Sequence, residues 1–139
     1  MITPGSLNLR PLRWVPFKYQ IRVDAYDLTS AVFVMEVRSY KGAPGTPLIA
    51  LANTASPLQG ISVSVVTTAG VPASTIEIRI DEATLEALLP FTVTSGAPNR
   101  TPGSDVALYY DLLITPSGGT KARWLEGTFT IAEGVTKNV

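Results

Sequence analysis

The amino-acid sequence predicts an all-β fold in which two antiparallel sheets pack face to face. Three observations predict it: apolar and polar residues alternate with period two over most of the chain, breaks rich in glycine and proline separate the alternating runs, and only one short stretch switches to a helical period. Residues 105–132 show the pattern at its clearest. Val106, Leu108, Tyr110, Leu112 and Ile114 form an apolar even face, and after Ser117-Gly118-Gly119-Thr120 the parity flips to Leu125, Phe129 and Ile131. Opposed residues of an antiparallel pair share a side, so an even face meets an odd face only in a register whose paired numbers sum to an odd value. A two-residue turn at Gly118-Gly119 meets that condition, because glycine takes the positive φ such a turn needs at both positions. This register sets Tyr110 over Gly127. It also opposes Asp111 to Glu126 on the outer side, a like-charge pair that requires a neighbouring cation or a bulge.

In residues 1–16, Pro4, Gly5, Pro11 and Pro16 exclude a helix and weaken any central strand, yet Leu7, Leu9, Leu12 and Trp14 are apolar. Such a segment is tied down somewhere, either as an edge strand of the domain's own sheet or as an extended arm on a neighbouring subunit. Residues 17–23 alternate cleanly as Phe17, Tyr19, Ile21 and Val23 against Lys18, Gln20 and Arg22. Residues 24–30 turn, and residues 31–38 (AVFVMEVR) form a central strand with Phe33, Met35 and Val37 on one face. The loop at 41–47 leads to a short strand at 48–51. Strands at 61–65 and 75–80 are joined by a hairpin loop at 67–73 containing Gly70 and Pro72.

The period then changes. Asp81 suits an N-cap, Glu82 the first turn, Leu85, Leu88 and Leu89 share one helical face, and Pro90 stops the run, which predicts a helix over 82–89 whose leucines plug an open end of the core. Residues 91–104 read as a long surface loop. The organisation is thus an N-terminal arm (1–16), a sandwich domain (17–132) and a polar C-terminal tail (133–139). Seven or eight strands, one short helix and turn signals at this spacing predict an antiparallel immunoglobulin-like β-sandwich.

Composition narrows the function. The 139 residues suffice for one domain with a substantial core, eleven basic and eleven acidic residues cancel, and no nucleic-acid grip is expected from so even a balance. Cysteine and histidine are both absent. That removes thiolate chemistry, a Ser-His-Asp triad and the side chain most used for proton transfer near neutral pH. No 18-residue apolar run and no signal-like start are present, so neither a membrane partner nor secretion is expected.

Asp24 and Asp27 are too few for a calcium site, and an Asx turn is the expected use of such residues. Asp81, Glu82 and Glu86 suit a helix start. No catalytic, cofactor-binding or metal-binding residue is predicted. The candidates are contact residues: Leu7, Leu9, Leu12 and Trp14 of the arm, Tyr109 and Trp124, which parity places on the outer face of the 105–132 hairpin, and Asn99 and Arg100 of the long loop.

Several short pieces, in order, carry a resemblance: Asp27-Leu28-Thr29 followed by AVFVMEVR, then Tyr110-Asp111-Leu112, then Trp124-Leu125-Glu126-Gly127, and Gly134-Val135-Thr136 near the end. Together they resemble small bacteriophage virion proteins with an immunoglobulin-like sandwich, similar to the amino-terminal domain of phage baseplate upper proteins. The resemblance implies a non-enzymatic subunit or adaptor of a tail, baseplate, neck or fibre-attachment assembly, soluble in the host cytoplasm before it joins the virion. Its partners would be copies of itself and other virion proteins in a symmetric oligomer. The alternative from the residues themselves is a carbohydrate-binding module that recognises a host surface glycan through Tyr109, Trp124 or the Asn99 loop.

Overall fold

The computed structural model describes residues 4–88 and 105–134. Eight strands and one helix follow in order: β1 (Gly5–Ser6), β2 (Phe17–Asp24), β3 (Val32–Arg38), β4 (Ile49–Ala52), β5 (Gly60–Thr68), β6 (Val71–Ile80), α1 (Glu82–Glu86), β7 (Val106–Thr115) and β8 (Ala122–Ile131). They form two sheets, β1-β8-β7-β3-β4 and β2-β6-β5. Lettered A to G in chain order, with β4 as C′, these are A-G-F-C-C′ and B-E-D. That is the immunoglobulin-like arrangement with the first strand moved beside the last.

The core is where the alternation places it. Phe33, Met35 and Val37 of β3, Ile76, Ile78 and Ile80 of β6, Leu108, Tyr110, Leu112 and Ile114 of β7, and Phe129 and Ile131 of β8 are all buried between the sheets. Burying one such aliphatic or aromatic side chain contributes roughly 1.5–3 kcal/mol, so this double layer of period-two runs supplies the driving force. Leu85 is buried and Leu88 packs against the same cluster.

Helix α1 is shorter than the 82–89 that the leucine spacing predicts, and Leu89 and Pro90 lie outside the described residues. Asp81 holds the N-cap position with extended backbone but makes no side-chain cap bond. Gln59 ties down the helix start from another loop, its Oε1 accepting from the Asp81 N–H at 2.7 Å and from the Thr84 hydroxyl at 2.8 Å.

Two turns differ from expectation. The β5–β6 connection is not a loop over 67–73 but a tight turn in which Ala69 and Gly70 both have positive φ, so each strand extends to meet it. Pro72 is tolerated inside β6 because β2 ends at Asp24, opposite Ala73, and no neighbour requires its missing N–H. The β7–β8 reversal is also not a two-residue turn. Gly119 N–H donates to the Pro116 carbonyl at 2.9 Å, and only Gly118 of the two glycines has positive φ. The register is as expected through Tyr110↔Gly127, Asp111↔Glu126 and Leu112↔Leu125. It then shifts to Leu113↔Arg123, leaving Trp124 as the extra residue of a bulge.

The N-terminal segment closes the domain's own sheet, and it does so parallel to β8, so the sandwich is not wholly antiparallel. Leu7 N–H donates to Glu126 O, Leu9 N–H to Thr128 O, Thr130 N–H to Leu9 O, Ala132 N–H to Pro11 O and Arg13 N–H to Ala132 O. The ladder is irregular at one place. Leu7 O, which would accept from Thr128, instead accepts from the Tyr110 hydroxyl at 2.6 Å, and the Asn8 side chain accepts the Thr128 N–H at 3.2 Å. The sheet edge is the one position where Pro11 loses nothing essential. At residues 12–15 the chain turns toward β2, with Trp14 in the left-handed region.

Candidate interaction surface

Three carboxylates line up across the outer face of the larger sheet. Glu36 of β3 faces Asp111 of β7, which faces Glu126 of β8, and the next row holds Arg38, Tyr109 and Thr128. Neighbouring strands lie about 4.8 Å apart, so such a row is repulsive unless cations are interposed. Both relieving devices are present. The bulge at Leu112/Leu113 brings Arg123 onto this face, where it reaches Asp111 at 3.2 Å and Glu126 at 3.3 Å. Arg38 pairs with Glu36 at 3.0 Å and is fixed from behind by the carbonyls of Ala43 and Gly45.

With Tyr40, Lys41, Gly42 and Tyr109, these charges line an open recess of about 460 Å³. Tyr40 is 56% exposed and Tyr109 38%. The face therefore offers two tyrosine rings among charges that, Lys41 apart, are already paired. Tyrosine and arginine are the side chains most used where protein surfaces meet.

The other predicted contact residues that lie among the described residues are not brought to this face. Leu9 is buried in the core and Leu7 packs against it, so these two arm residues serve the domain itself and do not stand free for a neighbour. The cause is the parallel ladder just described. Trp14 is half-buried, while Leu12 is exposed at 53% beside exposed Val15. Trp124 is also not outward beside Tyr109. Sitting at the bulge, its ring packs on the core and meets Tyr26 edge-on at 5.3 Å, next to a recess of about 510 Å³ lined by Pro116, Thr120 and Lys121. Its indole Nε1 is buried and makes no hydrogen bond among the described residues. Asn99 and Arg100 lie outside the described residues.

Sequence reasoning missed Arg13. Its guanidinium is buried, pairs with Glu133 at 2.6 Å and donates to the Leu85 carbonyl at 2.8 Å, so it joins the N-terminal segment, the end of α1 and the residues after β8. A charge in a proline-rich terminal segment carries no sign of burial. Tyr26 and Tyr40 were missed because both lie in loops, where parity is silent. Asp27 does form the Asx turn, accepting from both Thr29 N–H and its hydroxyl, bonds that lower its pKa.

Other titratable groups mark structural joints. Burial pushes the Tyr110 hydroxyl up to about 12, with the Tyr19 hydroxyl adding to the effect. The Glu133 N–H and the Arg10 guanidinium hold Asp105 below its ordinary value. Burial and the neighbouring Glu82 raise Glu86. Among the described residues no group of three or more His, Cys, Asp or Glu could hold a metal ion, and no helix is long and apolar enough to cross a membrane. No protein-family model matches the chain, and no curated protein matches it.

Proposed function

We propose that the chain is a non-enzymatic structural subunit or adaptor of a bacteriophage tail, baseplate, neck or fibre-attachment assembly, and that it meets its neighbours through the outer face of the β1-β8-β7-β3-β4 sheet. One observation carries this. Three stretches of the resemblance, far apart in the chain, fall side by side: Met35–Leu112–Leu125, Glu36–Asp111–Glu126 and Val37–Tyr110–Gly127 are consecutive rows across three adjacent strands. The middle row points outward and bears the paired charges between Tyr40 and Tyr109. The other two rows belong largely to the core.

Antibody raised against the chain, applied to purified particles in the electron microscope, tests the assignment: decoration of one level of the tail is expected, and unlabelled particles overturn it. A Tyr40→Ala/Tyr109→Ala variant tests the face. It removes only exposed rings, so the protein folds but is lost from particles.

The second reading is a glycan-binding module, and the recess beside Tyr26 and Trp124 favours it, because it offers an exposed ring and a buried indole N–H without a partner among the described residues. A saturable change in tryptophan fluorescence with host polysaccharide would move the assignment there.

A further inference from the structure

Among the described residues the sandwich has four strand edges, and three are blunted in ways that discourage pairing with another chain. The segment around β1 carries Pro4 and Pro11, β4 has four residues, and β2 bears Lys18, Arg22 and Asp24. The fourth, β5, is different. It runs nine residues, Gly60-Ile-Ser-Val-Ser-Val-Val-Thr-Thr68, with no charge and no proline. Thr54 N–H donates to Ile61 O at 2.9 Å, so at Ile61 the backbone points away from β6. Antiparallel pairing alternates this direction residue by residue, which aims the N–H and C=O of Val63, Val65 and Thr67 away from β6 as well. Beyond them no further strand lies among the described residues.

We propose that this edge pairs with itself: two copies of the chain join antiparallel along residues 62–68, fusing two β2-β6-β5 sheets into one. The inference rests on the reading of the chain as an assembly subunit and supplies a contact for it. The partner follows from the register. Outward groups must meet outward groups, and a two-fold axis at Val65 sets Val65 against Val65, Val63 against Thr67, Ser64 against Val66 and Ser62 against Thr68. Every opposed pair is uncharged and joins β-branched or hydroxyl side chains, the combination that sheets favour. Val66 is 65% exposed, and Val71 beside it is also exposed, so pairing covers apolar surface that the single chain leaves in water. A strand of opposite charge finds no counter-charge here, whereas two copies of zero net charge approach without repulsion. The contact is isologous and closes at two.

The test uses the full chain and two double variants at exposed outer-face positions. Ser64→Lys/Val66→Lys opposes lysine to lysine at both symmetry-related places, and Ser64→Glu/Val66→Glu opposes acid to acid. In sedimentation velocity the wild type is expected to dimerise, each variant alone to associate at least about tenfold more weakly, and an equimolar mixture of the two to recover the dimer. Hydrogen exchange at the amides of Val63, Val65 and Thr67 should slow as wild-type concentration rises. A wild type that stays monomeric with those amides unprotected overturns the inference. So does a dimer that both variants leave intact, which would move the contact to another face while sparing the assembly reading, and so does a mixture that fails to recover. Absence of the chain from particles would instead remove the assembly reading while leaving a measured self-pairing in place.

Discussion

Replacing Gly127 by alanine isolates the docking of the N-terminal segment. A Cβ at this position would stand 2.2 Å from the Leu7 carbonyl oxygen, 2.9 Å from its carbon and 3.0 Å from Asn8 Oδ1. The nearest atoms are backbone, so the segment must lift. Lifting it breaks Leu7 N–H to Glu126 O, the Tyr110 hydroxyl to Leu7 O and Thr128 N–H to Asn8 Oδ1. At about 1 kcal/mol each these sum to about 3 kcal/mol, and alanine returns roughly 0.5–1 kcal/mol by stiffening a strand interior. The net loss is about 2–2.5 kcal/mol, or roughly 8 °C in Tm for a chain of 139 residues. The decisive measurement is a double-mutant cycle in urea with a chain lacking residues 1–8. There the three nearest atoms are gone, and Gly127→Ala should be neutral or slightly stabilising. Equal losses in both backgrounds would show that the alanine clashes with something other than the segment, and the account of Gly127 would be wrong.

Three further outcomes follow from the joints already described. Arg13→Ala leaves Glu133 nearly buried without its cation and takes the side-chain donor from Leu85 O, which keeps only the Leu88 N–H at 3.3 Å, a loss of about 3–5 kcal/mol by chemical denaturation, and Arg13→Met with Glu133→Gln should recover most of it. Tyr110 ionises near 10 when unfolded and at about 12 when folded, so the fold favours its neutral form. That contribution, about 2–3 kcal/mol, is complete below pH 10, falls away as pH rises from 10 toward 12, and should vanish from the alkaline stability profile of Tyr110→Phe. Arg123→Ala leaves Asp111 opposed to Glu126 with no cation between them. Because all three side chains are at least one-third exposed, the cost should be only about 0.5–1 kcal/mol and should shrink in added salt.

Parity carried the sequence a long way. The even face of β7 and the odd face of β8, the placing of Tyr110 over Gly127, and the buried Phe33-Met35-Val37 strand were all legible, because a one-residue slip would turn each apolar set into water. The misses share a cause. Ala69 takes positive φ in the β5–β6 turn, and alanine does not announce it. At residues 116–121 the glycine pair suggested a tighter reversal than Pro116 and a single left-handed Gly118 produce. The surplus residue went into the bulge, and past a bulge parity inverts, so Trp124 was assigned outward and Arg123 was overlooked. The N-terminal segment was ambiguous for another reason. Its Leu7 and Leu9 alternate as strand residues do, but a parallel partner over a hundred positions away leaves no local trace.

The carboxylate row bears on what the outer face is for. Aligning Glu36, Asp111 and Glu126 costs like-charge repulsion across two strand pairs, and the exposed ion pairs that relieve it contribute at most about 1 kcal/mol each. Threonine or valine at the three positions would fold at least as well, since β-branched residues suit an outer sheet face. Stability therefore gives no reason for the row. A contact surface does: charges fixed in advance by Arg38 and Arg123 lose little side-chain freedom when a neighbour arrives, and they reject a partner whose own charges fall out of step. On this argument Arg123→Ala, nearly silent in denaturation, should be conspicuous in assembly, whereas Gly127→Ala should affect assembly only as far as it unfolds the chain. Under the proposed assembly role, comparing the two variants for incorporation into particles at a temperature where both are folded separates a face made for contact from one that merely tolerates charge.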